Sequence, residues 1–170
     1  MRFSLAAIIA ASAALAAPSG SHDTKSSLDA RAKTTYVVFI KDSEIVPKFI
    51  NNVDIGDDIR FEFGTGFQSV VEADYDLPCY LKQGGFASGT FITPPKEEKN
   101  SFGFTITIAN TEPIWFYNGM HGNCHKNKAV GAINPAKASG GKSYSDFVEK
   151  STKARETKNA PSNGGTKAPL

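Results

Sequence analysis

Sulfur is scarce in this chain: its 170 residues include only two cysteines, Cys79 and Cys124, and two methionines, Met1 and Met120. Histidine is nearly as rare, with His22, His121 and His125, and Trp115 is the single tryptophan. Thiolates and imidazoles carry most transition-metal binding and much nucleophilic or acid-base catalysis, so their scarcity narrows the available chemistry. No convincing Ser-His-Asp or Cys-His order is present, because the histidines past the first residues fall in one loop. The turn glycines Gly64, Gly66, Gly84 and Gly85 lack the strand-to-helix setting of a phosphate loop. An enzyme is not expected.

Long hydrophobic runs are also missing. The run from Leu5 to Leu15 is stopped by Pro18-Ser19-Gly20-Ser21, well short of the ~20 apolar residues that a membrane helix needs. With Met1-Arg2-Phe3 before it and Ala14-Leu15-Ala16 behind it, residues 1–16 read as a secretory signal peptide. Residues 17–33 read as a polar leader. The C-terminal Thr166-Lys167-Ala168-Pro169-Leu170 has no hydrophobic tail for a lipid anchor, so no membrane anchor is expected. No Asn-x-Ser/Thr sequon occurs either, and N-linked glycan is not expected.

Charge divides what is present. Residues 34–135 hold 8 basic and 12 acidic side chains, whereas 136–170 hold 7 basic and 3 acidic ones among Gly, Ser, Thr, Pro and Asn. The second stretch reads as a basic, low-complexity tail, mostly disordered, with a short helix available around Phe147 and Val148 but a poor apolar face to bury. Its scattered lysines do not make a nucleic-acid site. The paired acids Asp74 and Asp76, and Asp54 with Asp57 and Asp58, suit turns better than hydrolysis. In an oxidising compartment, one disulfide between Cys79 and Cys124 is the natural reading, with two free thiols as the alternative. Closing those 45 residues would constrain the unfolded chain by about 4 kcal/mol.

Residues 34–135 read as one all-β domain. Tyr36-Val37-Val38-Phe39-Ile40 opens it, and Ile45-Val46-Pro47-Lys48-Phe49-Ile50 follows as an edge strand because of its proline. Ile59-Arg60-Phe61-Glu62-Phe63 alternates, which predicts Ile59, Phe61 and Phe63 inside and Arg60 and Glu62 in water. Gln68-Ser69-Val70-Val71, the run from Phe102 to Ile108, Ile114-Trp115-Phe116-Tyr117 and Val130-Gly131-Ala132-Ile133 bring the total to about seven or eight strands in a Greek-key β-sandwich or barrel with disordered ends. Trp115 and Tyr117 point one way and Phe116 the other, so at least one of the two sets is core.

Several landmarks carry a closer resemblance: Gly56-Asp57 before the alternating strand, Gln68-Ser69-Val70 ahead of Pro78-Cys79, and Gly85-Phe86-Ala87-Ser88-Gly89. Pro113 to Tyr117 followed by Asn118 and Cys124, and Gly131 to Pro135, complete them. In order and spacing they resemble the secreted fungal cupredoxins, relatives of the plant phytocyanins, over about residues 35–135. The resemblance implies a cupredoxin-type sandwich and an extracellular or cell-wall location. It also implies where copper ligands would fall: the first His on Gln68, the Cys on Asn118, the second His on Asn123 and the axial Met near Ala129. A blue-copper site needs two imidazoles, a thiolate and a weak axial ligand, and none of the four positions keeps its donor.

The expectation is therefore a secreted, disulfide-stapled scaffold without a cofactor. It would act through the loop 118–129 and its neighbour around Gln68 on an extracellular partner such as a wall polymer or a host protein. The alternative is copper handling at a non-blue site made by His121, His125 and Met120.

Overall fold

The computed structural model describes residues 31–136 and 141–170. The signal-peptide segment, most of the leader and residues 137–140 lie outside the described residues. Eleven strands and one helix follow in order: β1 Thr35–Lys41, β2 Glu44–Val46, β3 Phe49–Ile50, β4 Asp58–Phe63, β5 Gly66–Gln68, β6 Val71–Ala73, β7 Phe91–Thr93, β8 Phe102–Thr107, β9 Ile114–Tyr117, β10 Val130–Ile133, α1 Tyr144–Thr152 and β11 Thr166–Pro169. They form a five-stranded sheet in the order β11-β8-β4-β1-β2, a four-stranded sheet β3-β10-β9-β6 and a ribbon β5-β7. The first pairing, β1 with β4, is parallel, and so is β3 with β10, while the remaining pairs are antiparallel. The chain is a cupredoxin-like all-β sandwich. Among the described residues no helix is long and apolar enough to cross a membrane.

Period-two alternation builds the inner core. Val38 and Ile40 from β1, Ile59, Phe61 and Phe63 from β4, and Phe104 and Ile106 from β8 turn to one side, where Phe116 of β9 and Ile133 of β10 meet them. The rings of Phe61 and Phe116 join the sheets edge to face at 5.2 Å, a favoured aromatic geometry. Opposite Phe116 in the β9–β10 register stands Gly131. A Cβ there would lie 2.3 Å from the Phe116 ring, so only glycine leaves room for that aromatic.

The run 45–50 is divided rather than continuous. Pro47 has no N–H to give a ladder, and the chain there passes from β2 in one sheet to β3 in the other. The run 68–71 divides likewise, because Ser69 and Val70 turn their N–H groups to the side chains of Asn118 and Ser88. Glu62 departs from the expected exposure. It is 8% exposed, because Lys99 comes across β4 and binds its carboxylate at 2.8 Å while Arg60 holds the other oxygen.

The largest correction concerns the C-terminal end, expected to be disordered. Residues 141–170 are packed on the domain. Ser143 caps α1 by accepting from the Asp146 N–H, with Asp146 in the first turn and Lys150 in the last, in accord with the helix dipole. Phe147 is fully buried against Trp115, ring centres 4.8 Å apart. Tyr117 donates to the Lys158 carbonyl at 2.8 Å, Lys158 N donates to the Cys79 carbonyl at 2.9 Å, and Asn163 exchanges backbone bonds with Ala87. The segment then ends as β11 on the edge of β8. Composition misleads here because one large aromatic and a set of backbone hydrogen bonds do the holding, rather than an apolar stripe.

This segment also answers which face of β9 is core. Phe116 belongs to the inner core, and Trp115 and Tyr117 belong to a second one with Val71, Ala73, Val130, Ala132 and Phe147. Both faces of the four-stranded sheet are covered.

Candidate functional site at the amide pole

The end of β5, the end of β9 and the start of β10 converge at one pole of the sandwich. Gln68 and Asn118, remote in sequence, are both 0% exposed there. Asn118 Nδ2 donates to Gln68 Oε1 at 2.7 Å and to the Asp42 carbonyl at 2.9 Å. Asn118 Oδ1 accepts from the N–H groups of Ser69 at 3.3 Å and Met120 at 3.1 Å. Gln68 Oε1 accepts a second bond from Asp42 N at 3.0 Å, and its Nε2 donates to Asp42 Oδ1 at 3.2 Å and the Thr65 carbonyl at 2.9 Å. A side-chain amide offers two donors and two acceptor sites, and all of them are used in both residues. Buried amides so satisfied add rigidity where an unsatisfied one would cost stability.

The other two positions implied by the resemblance join through backbone. Asn118 N donates to the Ala129 carbonyl and Ala129 N to the Asn123 carbonyl, each at 2.9 Å. Ala129 is buried, and the Asn123 side chain instead accepts from the exposed Asn127 at 3.0 Å. The structure thus brings Gln68, Asn118 and Ala129 together and leaves the Asn123 side chain at the rim. Next to them Ser69 Oγ is buried without a hydrogen-bond partner among the described residues.

The loop between β9 and β10 is tied by the disulfide Cys79–Cys124, whose Cα atoms stand 5.6 Å apart, so neither thiol is free. His121 is exposed, whereas His125 is half-buried with Nδ1 2.7 Å from Thr157 Oγ1. Met120 Sδ receives the Asn159 side-chain amide at 3.8 Å. No group of three or more His, Cys, Asp and Glu suited to a metal exists among the described residues. Asp76, one of the paired acids, is bound to Lys150, and that hydrogen bond holds its carboxyl below the usual range. Asp57 is the buried turn anchor its sequence suggests, accepting from the N–H groups of Thr34 and Asp54.

Sequence reasoning missed Asp42, Thr65, Thr157 and Asn159. Asp42 takes a left-handed φ of 50°, which Asp tolerates better than most residues. The last two come from the segment assumed to be disordered, and no local signal marks them.

The fold is thus of the cupredoxin-like type, with its loops gathered at one pole. The chain is similar to the probable GPI-anchored cupredoxin-1 of Arthroderma benhamiae, with 28% identity over 108 residues, or 62% of this chain and 53% of the relative. The chain therefore spans about half the length of the curated relative it matches. No family model matches it.

Proposed function

We propose that this chain is an extracellular binding module on a cupredoxin-like scaffold, without type 1 copper, that engages its partner through the loop 118–129 and the neighbouring turn at Gln68. The observation that carries the reading is the 2.7 Å bond between Asn118 and Gln68. Two fully satisfied neutral amides occupy the positions that the resemblance assigns to a thiolate and an imidazole, and both cysteine sulfurs are in a disulfide. That donor set does not fit a blue-copper ion, which requires thiolate and imidazole nitrogen. The extracellular assignment rests on the hydrophobic N-terminal run and the disulfide, and accords with the GPI anchor named for the relative. The partner is a wall polymer or a protein met outside the cell, recognised by loops on a rigid frame.

The test is a titration of the folded chain with Cu(II) and with Cu(I) under reductant-free, anaerobic conditions, followed by absorbance, electron paramagnetic resonance and melting temperature. No intense visible charge-transfer band is expected. Such a band would overturn the reading, and colourless binding lost in His121→Ala/His125→Ala would replace it with copper handling at those histidines.

A further inference from the structure

Away from the amide pole, at the Ile114 end of β9, two open clefts lie side by side. One, of about 440 Å³, runs under Phe86, Ile106 and Ile114; the other, of about 280 Å³, runs past Tyr75 and Trp115. They share Lys82, Glu112 and Pro113, so they form one groove with Pro113 at its middle. Its lining mixes apolar side chains with charged ones, Glu72, Asp74 and Glu112 against Lys82 and Lys142.

The state of these side chains narrows the ligand. Glu72 is fixed: Lys82 Nζ holds one oxygen at 2.8 Å and the Phe86 N–H holds the other at 3.2 Å. Asp74 and Glu112 are exposed, and their carboxylates make no hydrogen bond or ion pair with the described residues. Lys142 is exposed and lies over the face of Tyr75, 5.6 Å from its centre, with its charge also acting on Asp76. Trp115 is 4% exposed, and its indole N–H likewise has no partner among the described residues. Acceptor-only carboxylates and donor-only ammoniums thus stand around Pro113, with the edge of the Trp115 indole beside them. Three acids against two bases leave almost no net charge to select an ion.

A sugar hydroxyl both donates and accepts, and a pyranose ring has an apolar C–H face with hydroxyls around its edge. That is the complement of this groove. A phosphate would meet the three carboxylates, and a lysine-rich peptide would meet the two ammoniums. We infer that the groove binds a neutral oligosaccharide laid across Pro113, with a ring face on Pro113 and hydroxyls on Asp74, Glu112, Lys142 and the indole N–H at the edge of Trp115. The inference does not rest on the copper-free reading of the other pole.

Trp115 is the single tryptophan, so its emission reports the groove directly. The full chain is titrated with β-1,3-glucan hexasaccharide, chitohexaose and mannohexaose, with Trp115 fluorescence and amide chemical shifts recorded together. A saturable change centred on Asp74, Lys82, Glu112 and Trp115 is expected with at least one of them. Glu112→Ala/Lys142→Ala removes two exposed side chains, should leave the melting temperature unchanged, and should weaken binding about tenfold or more, as expected for lost bonds to charged groups. The inference is overturned by no response up to about 10 mM of any sugar, a range that covers even weak sites. It is equally overturned by binding that the double variant leaves intact, or by hexalysine binding more tightly than any sugar and releasing with salt.

Discussion

Phe147→Ala is the sharpest probe of whether residues 141–170 belong to the cooperative unit. The ring is completely buried between Trp115 at 4.8 Å and Tyr75 at 6.1 Å, beneath a helix of nine residues that has little else to bury. Truncating a buried phenylalanine to alanine typically costs about 3–5 kcal/mol, from lost transfer free energy and the cavity left behind. With a urea m-value of about 2 kcal/mol per molar, that predicts a midpoint lower by about 2 M. Domains of this size are stable by about 5–15 kcal/mol, so much of the folded chain's margin would disappear. The assay is equilibrium urea unfolding read by Trp115 emission and by far-ultraviolet circular dichroism, with cleavage at Lys153, Arg155 and Lys158 as a second readout. If α1 docks independently, the variant would only undock the helix: Trp115 would become solvated with the main transition unmoved. A midpoint shift below about 0.5 M would refute the claim that this segment closes the second core.

Two further outcomes follow from the same geometry. Burial pushes the Tyr117 phenol well above its ordinary 10.0, so below pH 10 both folded and unfolded states hold the proton and stability is at its full value. Above pH 10 the unfolded chain ionises first, and stability should fall by about 1.4 kcal/mol per pH unit until the folded phenol also titrates. Urea midpoints between pH 8 and 11.5 measure this, and Tyr117→Phe should flatten the slope by about one proton; an unchanged slope would refute the assignment. At the amide pole, Gln68→His, Asn118→Cys, Asn123→His and Ala129→Met together restore the donors that the resemblance implies. The folded variant should gain an intense visible band with Cu(II), and a folded variant that stays colourless would show that these are not corresponding positions.

The inner core was legible because its strands alternate: Ile59, Phe61 and Phe63 are inside as their spacing requires. Glu62 was misjudged by the same rule, since alternation says which way a side chain points but not that Lys99 will arrive to cover it. Trp115 and Tyr117 posed a related problem. Their face is core only because α1 lies over it, and α1 was hidden in a stretch whose net charge and Gly, Ser and Pro content read as disorder. The run 166–169 carries no apolar alternation, and it becomes a strand only because β8 offers an unpaired edge. At the site, the meeting of residues 68 and 118 was implied by resemblance. Their mutual satisfaction was not, because it depends on Asp42 and Thr65, which no spacing connects to them.

The arrangement of the amide pole bears on why a loop surface there suits recognition. A metal bound by side chains from separate strands would tie those strands together, and losing it would free the loops unless something replaced the ties. Here Gln68 joins the turns at Asp42 and Thr65 to Asn118. The Cys79–Cys124 disulfide fixes the loop from below, while Thr157 and Asn159 hold His125 and Met120 from the C-terminal segment. All the ties lie within the chain. A partner binding 118–129 would therefore meet a surface already ordered and would be spared about 0.5–1.5 kcal/mol for each side chain that would otherwise have to be immobilised. On the reading proposed above, the pole is preorganised for binding by these ties. The same ties link its rigidity to the packing of Phe147, 29 residues from Asn118 in sequence, so loosening the helix should soften the loop as well.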